Sequence, residues 1–161
     1  MTTRRRVREV VLQILFEEDI NPVRPEKAAS EFLATRMRKN KPLIAFGEGL
    51  LAGVRKNRKS IDDAIENHAA NWSIKRMTVV DRNILRLAAH ELLHAKTPAP
   101  VAINEAIELA KRYGQKNSSQ FVNGILDRLN RESQQVVQVA SAANEPVDEA
   151  TATSIAPTEA S

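Results

Sequence analysis

The amino-acid sequence predicts an all-α protein of about seven helices packed as a bundle. Across seven consecutive segments, apolar residues recur three and four positions apart, which is the spacing of one face of an α-helix. No segment keeps the strict alternation of a half-buried strand, and runs of β-branched residues are short. Helices of ordinary length with short connections favour a helical bundle.

The first three helices are delimited mainly by proline. The apolar residues between Thr3 and Glu18 predict the first helix, which ends before Pro22 because the residue preceding a proline is pushed out of the helical region. The second helix is expected to start near Pro25 and the third at Pro42, since proline suits the first turn of a helix.

Four further helices follow, each with a recognisable first or last residue. Ser60 and Thr78 are expected to cap the fourth and fifth helices, because a hydroxyl at this position accepts a hydrogen bond from a free backbone N–H. Pro100 starts the sixth helix, and Gly114 stands where a left-handed C-terminal cap belongs. Ser118 is expected to cap the seventh helix.

The charge distribution indicates a polyanion as partner. All 24 basic residues lie at or before Arg131, while four of the 20 acidic residues lie after residue 132, so residues 1–132 carry a net charge of +8. A small domain with this charge and clustered arginines attracts nucleic acid, although solvated helix faces also carry such runs. The three basic clusters are Arg4, Arg5, Arg6 and Arg8; Arg36, Arg38, Lys39 and Lys41; and Arg55, Lys56, Arg58 and Lys59.

Residues 133–161 differ from the rest of the chain in composition. They hold no aromatic or basic residue, which predicts a disordered acidic tail rich in Ala, Ser and Thr behind a folded domain of residues 1–132.

The chain has no cysteine, which excludes disulfides and thiolate zinc sites. No apolar run reaches the ~18 residues of a membrane span and no signal peptide is evident, so we expect a cytoplasmic protein.

His90, Glu91 and His94 form the short motif H-E-x-x-H on the predicted fifth helix. Two histidines four positions apart can bind zinc while the glutamate activates a water molecule. A catalytic site also needs a third ligand, and neither extended form of the motif finds one at its downstream position. Helix surface is therefore the favoured interpretation, and a zinc hydrolase is an alternative.

Gly47 and Gly49 belong to a G-x-G-x-x-A sequence, a weak form of the dinucleotide-binding fingerprint. That fingerprint requires a preceding strand and a parallel sheet, and neither is predicted here, so we expect these glycines to let two helices pack closely.

Trp72 is the only tryptophan. It could stack on a nucleobase, but packing at a helix junction is the more common role of such a residue.

Several longer segments resemble the NusB family of bacterial transcription antitermination factors. The resemblance extends from residue 4 to about residue 130 and includes the arginine-rich start. The segments that carry it are N-W-S-I-K-R-M from Asn71, V-D-R-N-I-L-R-L-A from Val80, V-A-I-N-E-A-I-E-L-A-K from Val101 and F-V-N-G-I-L-D from Phe121. The resemblance implies two small antiparallel helical bundles, no catalytic activity, no metal and no other cofactor.

The same resemblance implies a function in transcription. Members of the family bind the boxA element of nascent ribosomal RNA as a heterodimer with the ribosomal protein NusE. They join other Nus factors on RNA polymerase and suppress premature termination. We therefore expect an RNA- and protein-binding factor in ribosomal RNA synthesis, either a monomer or a homodimer. A helical protein-interaction module without RNA affinity is the alternative.

Site residues are carried over from the family position by position. The arginine-rich start is expected to contact RNA phosphates, because arginine forms bidentate and permanently charged contacts. The loop before the seventh helix is expected to add contacts, since a helix N-terminus suits an anion. The predicted RNA-binding residues are Arg4, Arg5, Arg6, Arg8, Lys116, Asn117, Ser118 and Ser119. The predicted NusE-binding residues are Phe16, Ile20 and Asp81.

Overall fold

The fold is built from helices. The computed structural model describes residues 3–144 and contains no strand within that range. Its seven α-helices are α1 (Arg4–Ile20), α2 (Glu26–Arg36), α3 (Lys41–Lys56), α4 (Arg58–His68), α5 (Val79–Leu93), α6 (Ala99–Tyr113) and α7 (Ser118–Ala143). A short 3-10 turn, Ile74–Arg76, lies between α4 and α5. The prediction of an all-α protein is confirmed.

The helices pack as two small bundles that are joined through α5. In the N-terminal bundle α1 contacts α2 and α3, and in the C-terminal bundle α5 contacts α4, α6 and α7. Because α5 also contacts α1 and α3, it lies at the centre of the molecule. Almost every side chain from Asp81 to Glu91 is accordingly buried.

Helix α1 shows how the sequence pattern becomes a buried face. Thr3 lies at the N-cap, where its Oγ1 accepts a hydrogen bond from the Arg6 N–H. Val7, Val11 and Ile14 then lie along one side of the helix and are at most 3% exposed. Full burial of such a side chain stabilises the fold by about 1.5–3 kcal/mol. This face therefore holds α1 against its neighbours α3 and α5.

Two glycines bring α3 close to neighbouring helices. A methyl group on Gly47 would lie 2.8 Å from the Leu33 side chain and 3.0 Å from that of Val7. One on Gly53 would overlap the ring of His90, so α3 and α5 can approach only because this residue has no side chain. The expectation of close packing is confirmed for Gly47, but it is wrong for Gly49, since nothing lies within 4 Å of an added Cβ there.

The helix starts agree with the predicted caps only in part. Thr78 caps α5 as expected, because its Oγ1 accepts a hydrogen bond from the Asp81 N–H at 3.1 Å. Ser60 does not cap α4, which already begins at Arg58. The hydroxyl of Ser60 instead donates to the carbonyl oxygen of Asn57 at 3.0 Å, so a serine inside the first turn bonds backward to the helix start.

The loop before α7 differs from the expectation at both ends. Gly114 has a φ of −87° and is not a left-handed cap. Glycine is still required, because a Cβ would lie 2.5 Å from the Cβ of Ser118 and 2.7 Å from the carbonyl oxygen of Ala110. Asn117, not Ser118, occupies the N-cap position of α7. The Oγ of Ser118 accepts a hydrogen bond from the Gln115 N–H at 2.8 Å and so closes the loop.

Helix α7 is longer than the composition predicts. It continues to Ala143, so residues 133–143 are helical and not disordered. Extension of an existing helix costs little, and Gln and Ala are good helix formers. Residues 134–143 are exposed throughout, and the remainder of the predicted tail, residues 145–161, lies outside the described residues. None of the described helices is both long and apolar enough to cross a membrane.

Candidate nucleic-acid interface

A basic cleft of 550 Å³ lies between the N-terminus of α1, the end of α2 and the end of α6. We call it the arginine cleft, and its arginines are Arg5, Arg6, Arg36, Arg38 and Arg112. Glu9 is the one carboxylate among the described residues that line it. Glu9 accepts hydrogen bonds from Arg6 at 2.8 Å and from Arg112 at 2.7 Å. Five guanidinium groups around one carboxylate leave an excess of positive charge, which suits phosphate binding.

The first three arginines of the first basic cluster, residues 4–6, lie at or near the surface. Arg4 is exposed, and its guanidinium carbon lies 4.7 Å from the centre of the Phe46 ring. The side chain of Arg5 is about half exposed and donates to Glu105 at 3.1 Å. Exposed pairs of this kind contribute little stability, so an arriving phosphate can compete for the guanidinium group.

Arg8 lies in the interior, contrary to expectation. It is 5% exposed, and its guanidinium donates to the Glu91 carboxylate at 2.7 and 3.0 Å. Burial of both charges is costly, and the paired hydrogen bonds offset that cost only while both partners are present. The structure therefore corrects the expectation for Arg8: its guanidinium joins α1 to α5 and is not a free phosphate contact.

The same ion pair bears on the H-E-x-x-H motif. Glu91 is 1% exposed and accepts a further hydrogen bond from Thr97 Oγ1 at 3.2 Å, so its carboxylate is occupied and not free to deprotonate a water molecule. His90 is also buried, whereas the sequence favoured helix surface, and its ring stacks on His94 with centres 5.9 Å apart. Among residues 3–144, no group of three His, Cys, Asp or Glu side chains could hold a metal. This geometry does not support a zinc hydrolase.

The second basic cluster occupies a turn with unusual backbone geometry. Arg38 and Lys39 have φ values of 50° and 58°, in the left-handed region that favours glycine. The Arg38 N–H donates to the Thr35 carbonyl and the Lys39 N–H to the Ala34 carbonyl, which is the pattern of a Schellman C-cap. Glycine is the usual residue at the position of Arg38 in this motif. An arginine there adds charge to the cleft at a cost in backbone strain.

A second cleft, of 310 Å³, lies where the loop before α7 meets the start of α5. We call it the loop cleft; its lining includes Trp72, Thr78, Asp81, Lys116, Asn117 and Phe121. Trp72 is 49% exposed and meets the Phe121 ring edge-on, with ring centres 6.1 Å apart. The tryptophan therefore packs at the helix junction and also presents a face to the cleft.

Two of the four predicted RNA-binding residues in this loop are placed to make contacts. Lys116 and Asn117 are exposed and line the loop cleft. Ser118 also lines this cleft, but it is buried and its Oγ accepts a hydrogen bond from the loop backbone, so its main role is to shape the loop. Ser119 is half-buried and does not line the cleft.

The three predicted partner-binding residues lie on two adjoining helices. Near the end of α1, Phe16 is half-buried and Ile20 is 60% exposed. Asp81, in the first turn of α5, is buried, and its Oδ1 has no hydrogen-bond partner. Asp19 connects the two helices, because it accepts a hydrogen bond from Arg82 at 2.6 Å.

Sequence reasoning missed the charged network around Asp19. Its carboxylate binds Arg82, Asn83 and Arg86, and Arg86 also binds Asp62 of α4 at 2.8 Å. Burial alone would raise the pKa of Asp19, but the hydrogen bonds from Arg82 and Asn83 and the charges of Arg82 and Arg86 outweigh burial and lower that pKa. Asp19 and Arg82 are 63 positions apart, so no local pattern could indicate their contact.

Two helical bundles with an arginine-lined cleft define a helical protein suited to binding nucleic acid. A family model identifies it further: the NusB family matches residues 5–131, and the chain belongs to that family. The resemblance that the sequence indicated over residues 4 to about 130 is thereby confirmed.

Relatives match over most of the chain. The transcription antitermination protein NusB of Anaeromyxobacter dehalogenans is 45% identical over 130 residues, which are 80% of this chain and 92% of that protein. The structure of Thermotoga maritima NusB has a TM-score of 0.73 and 41% identity, covering 81% of this chain and 92% of that one. The antitermination factors NusB and NusE in complex with double-stranded RNA give a TM-score of 0.72 at 28% identity, covering 81% and 99%.

Proposed function

We propose that the chain is a transcription antitermination factor that binds the boxA RNA of nascent ribosomal RNA transcripts together with the ribosomal protein NusE. In this role it joins other Nus factors on RNA polymerase in the cytoplasm and helps the enzyme read through terminators, without a catalytic step or cofactor of its own. The arginine cleft is the observation that carries the proposal, because clustered guanidinium groups recognise a phosphate backbone. A relative of the same family is known in complex with NusE and RNA.

The proposed RNA surface extends from the arginine cleft to the loop cleft. Arg112 lines the first cleft, and the loop that follows it lines the second, so one strand of RNA can cross both. Glu9 and Glu105 hold their arginine partners in place before RNA arrives, which reduces the entropy lost on binding. The residues proposed to contact RNA are Arg4, Arg5, Arg6, Arg36, Arg38, Lys116 and Asn117.

The proposed NusE surface comprises Phe16 and Ile20 on α1 and Asp81 on α5. Ile20 offers exposed apolar area, and Asp81 places a carboxylate in the first turn of α5, where it lines the loop cleft. A protein that presents an apolar side chain and a hydrogen-bond donor at matching positions would bury the first and pair the second. Asp19 supports this proposal indirectly, because it keeps the ends of α1 and α5 together.

Binding of boxA RNA and of a scrambled RNA of equal composition, each with and without NusE, tests the proposal. We expect NusE to tighten binding to boxA and to leave the scrambled RNA unaffected. Ile20→Ala removes exposed apolar area from the proposed NusE surface and is expected to weaken the effect of NusE by about tenfold. Because Ile20 lines neither cleft, the binding of RNA alone should stay unchanged. Arg131→Ala, which removes an exposed charge on α7 outside both clefts, is the control. Equal affinity for both RNAs in the presence of NusE would contradict the proposal.

A further inference from the structure

A third cleft lies beside the first turn of α1. It measures 730 Å³ and is bounded by α1, α3, the end of α5 and the connection to α6; we call it the α3–α5 cleft. Arg4 lines this cleft, whereas the next two residues, Arg5 and Arg6, line the arginine cleft. Because these three residues are consecutive, a ligand chain bound along the start of α1 reaches both clefts.

The lining of the α3–α5 cleft is basic. Arg4 and Lys96 are exposed within it, and no Asp or Glu occurs among the described residues that line it. Arg8 also contributes to the lining, but Glu91 offsets its charge. The cleft is therefore suited to an anionic ligand, and its size is that of a site for a small molecule or a single nucleotide.

Planar groups form much of the wall. The guanidinium carbons of Arg4 and Arg8 lie 4.7 and 5.2 Å from the centre of the Phe46 ring. The imidazoles of His90 in α5 and of His94 at the C-cap of α5 stack on each other and also line the cleft. His90 is 6% exposed, and its Nδ1 has no hydrogen-bond partner. Aromatic rings and guanidinium planes are the groups on which proteins stack unpaired bases.

Two residues of the cleft, Gly49 and Lys96, account for part of its open space and of its positive charge. Gly49 lines the cleft, and nothing lies within 4 Å of a Cβ added there. Lys96 has a φ of 53°, a conformation that glycine or asparagine adopts at lower cost. Lys96 is exposed and lines the cleft, so its charge lies at the cleft despite the backbone strain of this conformation.

We propose that the α3–α5 cleft binds one unpaired nucleotide of the RNA, with its base against the planar groups of Phe46 and Arg4 and its phosphate near Lys96. This inference rests on the proposed function and adds a site that distinguishes single-stranded from duplex RNA. The bases of a duplex are paired and stacked, so only an unpaired nucleotide can place its base in such a cleft.

Gly49 provides the test. Gly49→Leu fills the cleft, while the matched control Gly49→Ala adds a single methyl group, and both substitutions favour the helix because they remove a glycine from its interior. We expect Gly49→Leu to bind single-stranded boxA RNA about tenfold more weakly than Gly49→Ala does. Binding of the same bases paired in a hairpin is expected to be equal for the two variants.

Abasic RNAs identify the nucleotide. Removal of the base that occupies the cleft should weaken binding to the wild-type protein and should have no further effect on Gly49→Leu. Equal binding by the two Gly49 variants, with no such abasic position, would overturn the inference while the proposed function stands. A wild-type protein that does not prefer boxA to a scrambled RNA would overturn both.

Lys96→Gly tests the phosphate contact separately. This variant removes the charge at a position whose backbone conformation favours glycine, so the connection between α5 and α6 is preserved. We expect the slope of log affinity against log salt to decrease by about the value of one phosphate contact. An unchanged slope would overturn the placement of a phosphate near Lys96.

Discussion

Arg5 and Arg8 lie three positions apart on α1 and differ in their exposure and in their ion-pair partners. Arg5 is about half exposed and bound to Glu105, while Arg8 is buried and bound to Glu91. Water replaces a lost partner at the surface but not in the interior, where an unpaired charge is strongly destabilising. The same substitution therefore has different consequences at the two positions.

Arg8→Ala is expected to lower the free energy of unfolding by about 3–5 kcal/mol, because it leaves the carboxylate of Glu91 buried without its main partner. Arg5→Ala should change that free energy by less than about 1 kcal/mol and should weaken RNA binding instead. Urea unfolding and RNA titration of the two variants measure these effects. An Arg8→Ala variant as stable as the wild-type protein would show that the ion pair does not hold α1 to α5.

Asp19 is expected to make stability depend on pH. Its pKa is lowered in the folded protein, so the unfolded chain takes up a proton first as the pH falls below the ordinary value of 3.8. The stabilisation by Asp19 is thus complete above that pH and is lost as the pH falls through the lower, folded-state pKa. Asp19→Asn should lack this part of the acid transition in urea unfolding at a series of pH values. The exposed carboxylate of Asp63 supplies the control, Asp63→Asn; identical profiles for Asp19→Asn and wild type would refute the assignment.

At this scale, the sequence predicts which residues are charged but not which charges are exposed. The arginine cluster of α1 is evident from the sequence alone. The burial of Arg8 depends on Glu91, which is 83 positions away. The orphaned Oδ1 of Asp81 likewise depends on the packing of α5 against other elements.

In the turn between α2 and α3, Arg38 adds charge to the arginine cleft and has a strained backbone conformation. Arg38 occupies the position of a Schellman cap where glycine costs least. Arg38→Gly is therefore expected to raise the free energy of unfolding by about 0.5–1 kcal/mol and to weaken RNA binding. Arg38→Ala should weaken RNA binding without the gain in stability. Urea unfolding and RNA titration of both variants test this prediction. A lower free energy of unfolding for Arg38→Gly than for the wild-type protein would contradict the strain argument.

The last turns of α7 are expected to contribute little to stability. Residues 134–143 are exposed, and helical stability in proteins comes mainly from packing. A chain that ends at residue 133 should match the free energy of unfolding of one that ends at residue 144 to within about 0.5 kcal/mol. A difference well above 1 kcal/mol would show that these turns pack against the core.

Helices were more predictable than their ends. The apolar spacing of α1 to α7 reports burial on one face, which is a property of each segment. Caps depend on backbone geometry that distant packing determines. Gly114 illustrates this, because it is required by the closeness of Ser118 and not by a left-handed conformation. The extension of α7 beyond residue 132 was missed, because amino-acid composition does not show that the segment continues a helix formed by the preceding residues.

The charge of the whole molecule is organised around the N-terminus of α1. The net charge of +8 over residues 1–132 predicts a polyanion as partner, and the structure shows two basic clefts on either side of this helix start. Arg112 and the turn at Arg38 complete the arginine cleft from elements remote in the sequence. The sequence could indicate the clusters, but only the fold reveals which of them share a cleft.

The most direct test of this account is the salt dependence of boxA RNA binding by the wild-type protein, Arg5→Ala, Arg38→Ala and the control Arg131→Ala. Each phosphate contact adds about 0.7 to the magnitude of the slope of log affinity against log salt for single-stranded RNA. We predict a shallower slope for Arg5→Ala and Arg38→Ala, each by about one contact, and a wild-type slope for Arg131→Ala. Equal slopes for all four proteins would contradict the claim that the arginine cleft binds the RNA backbone.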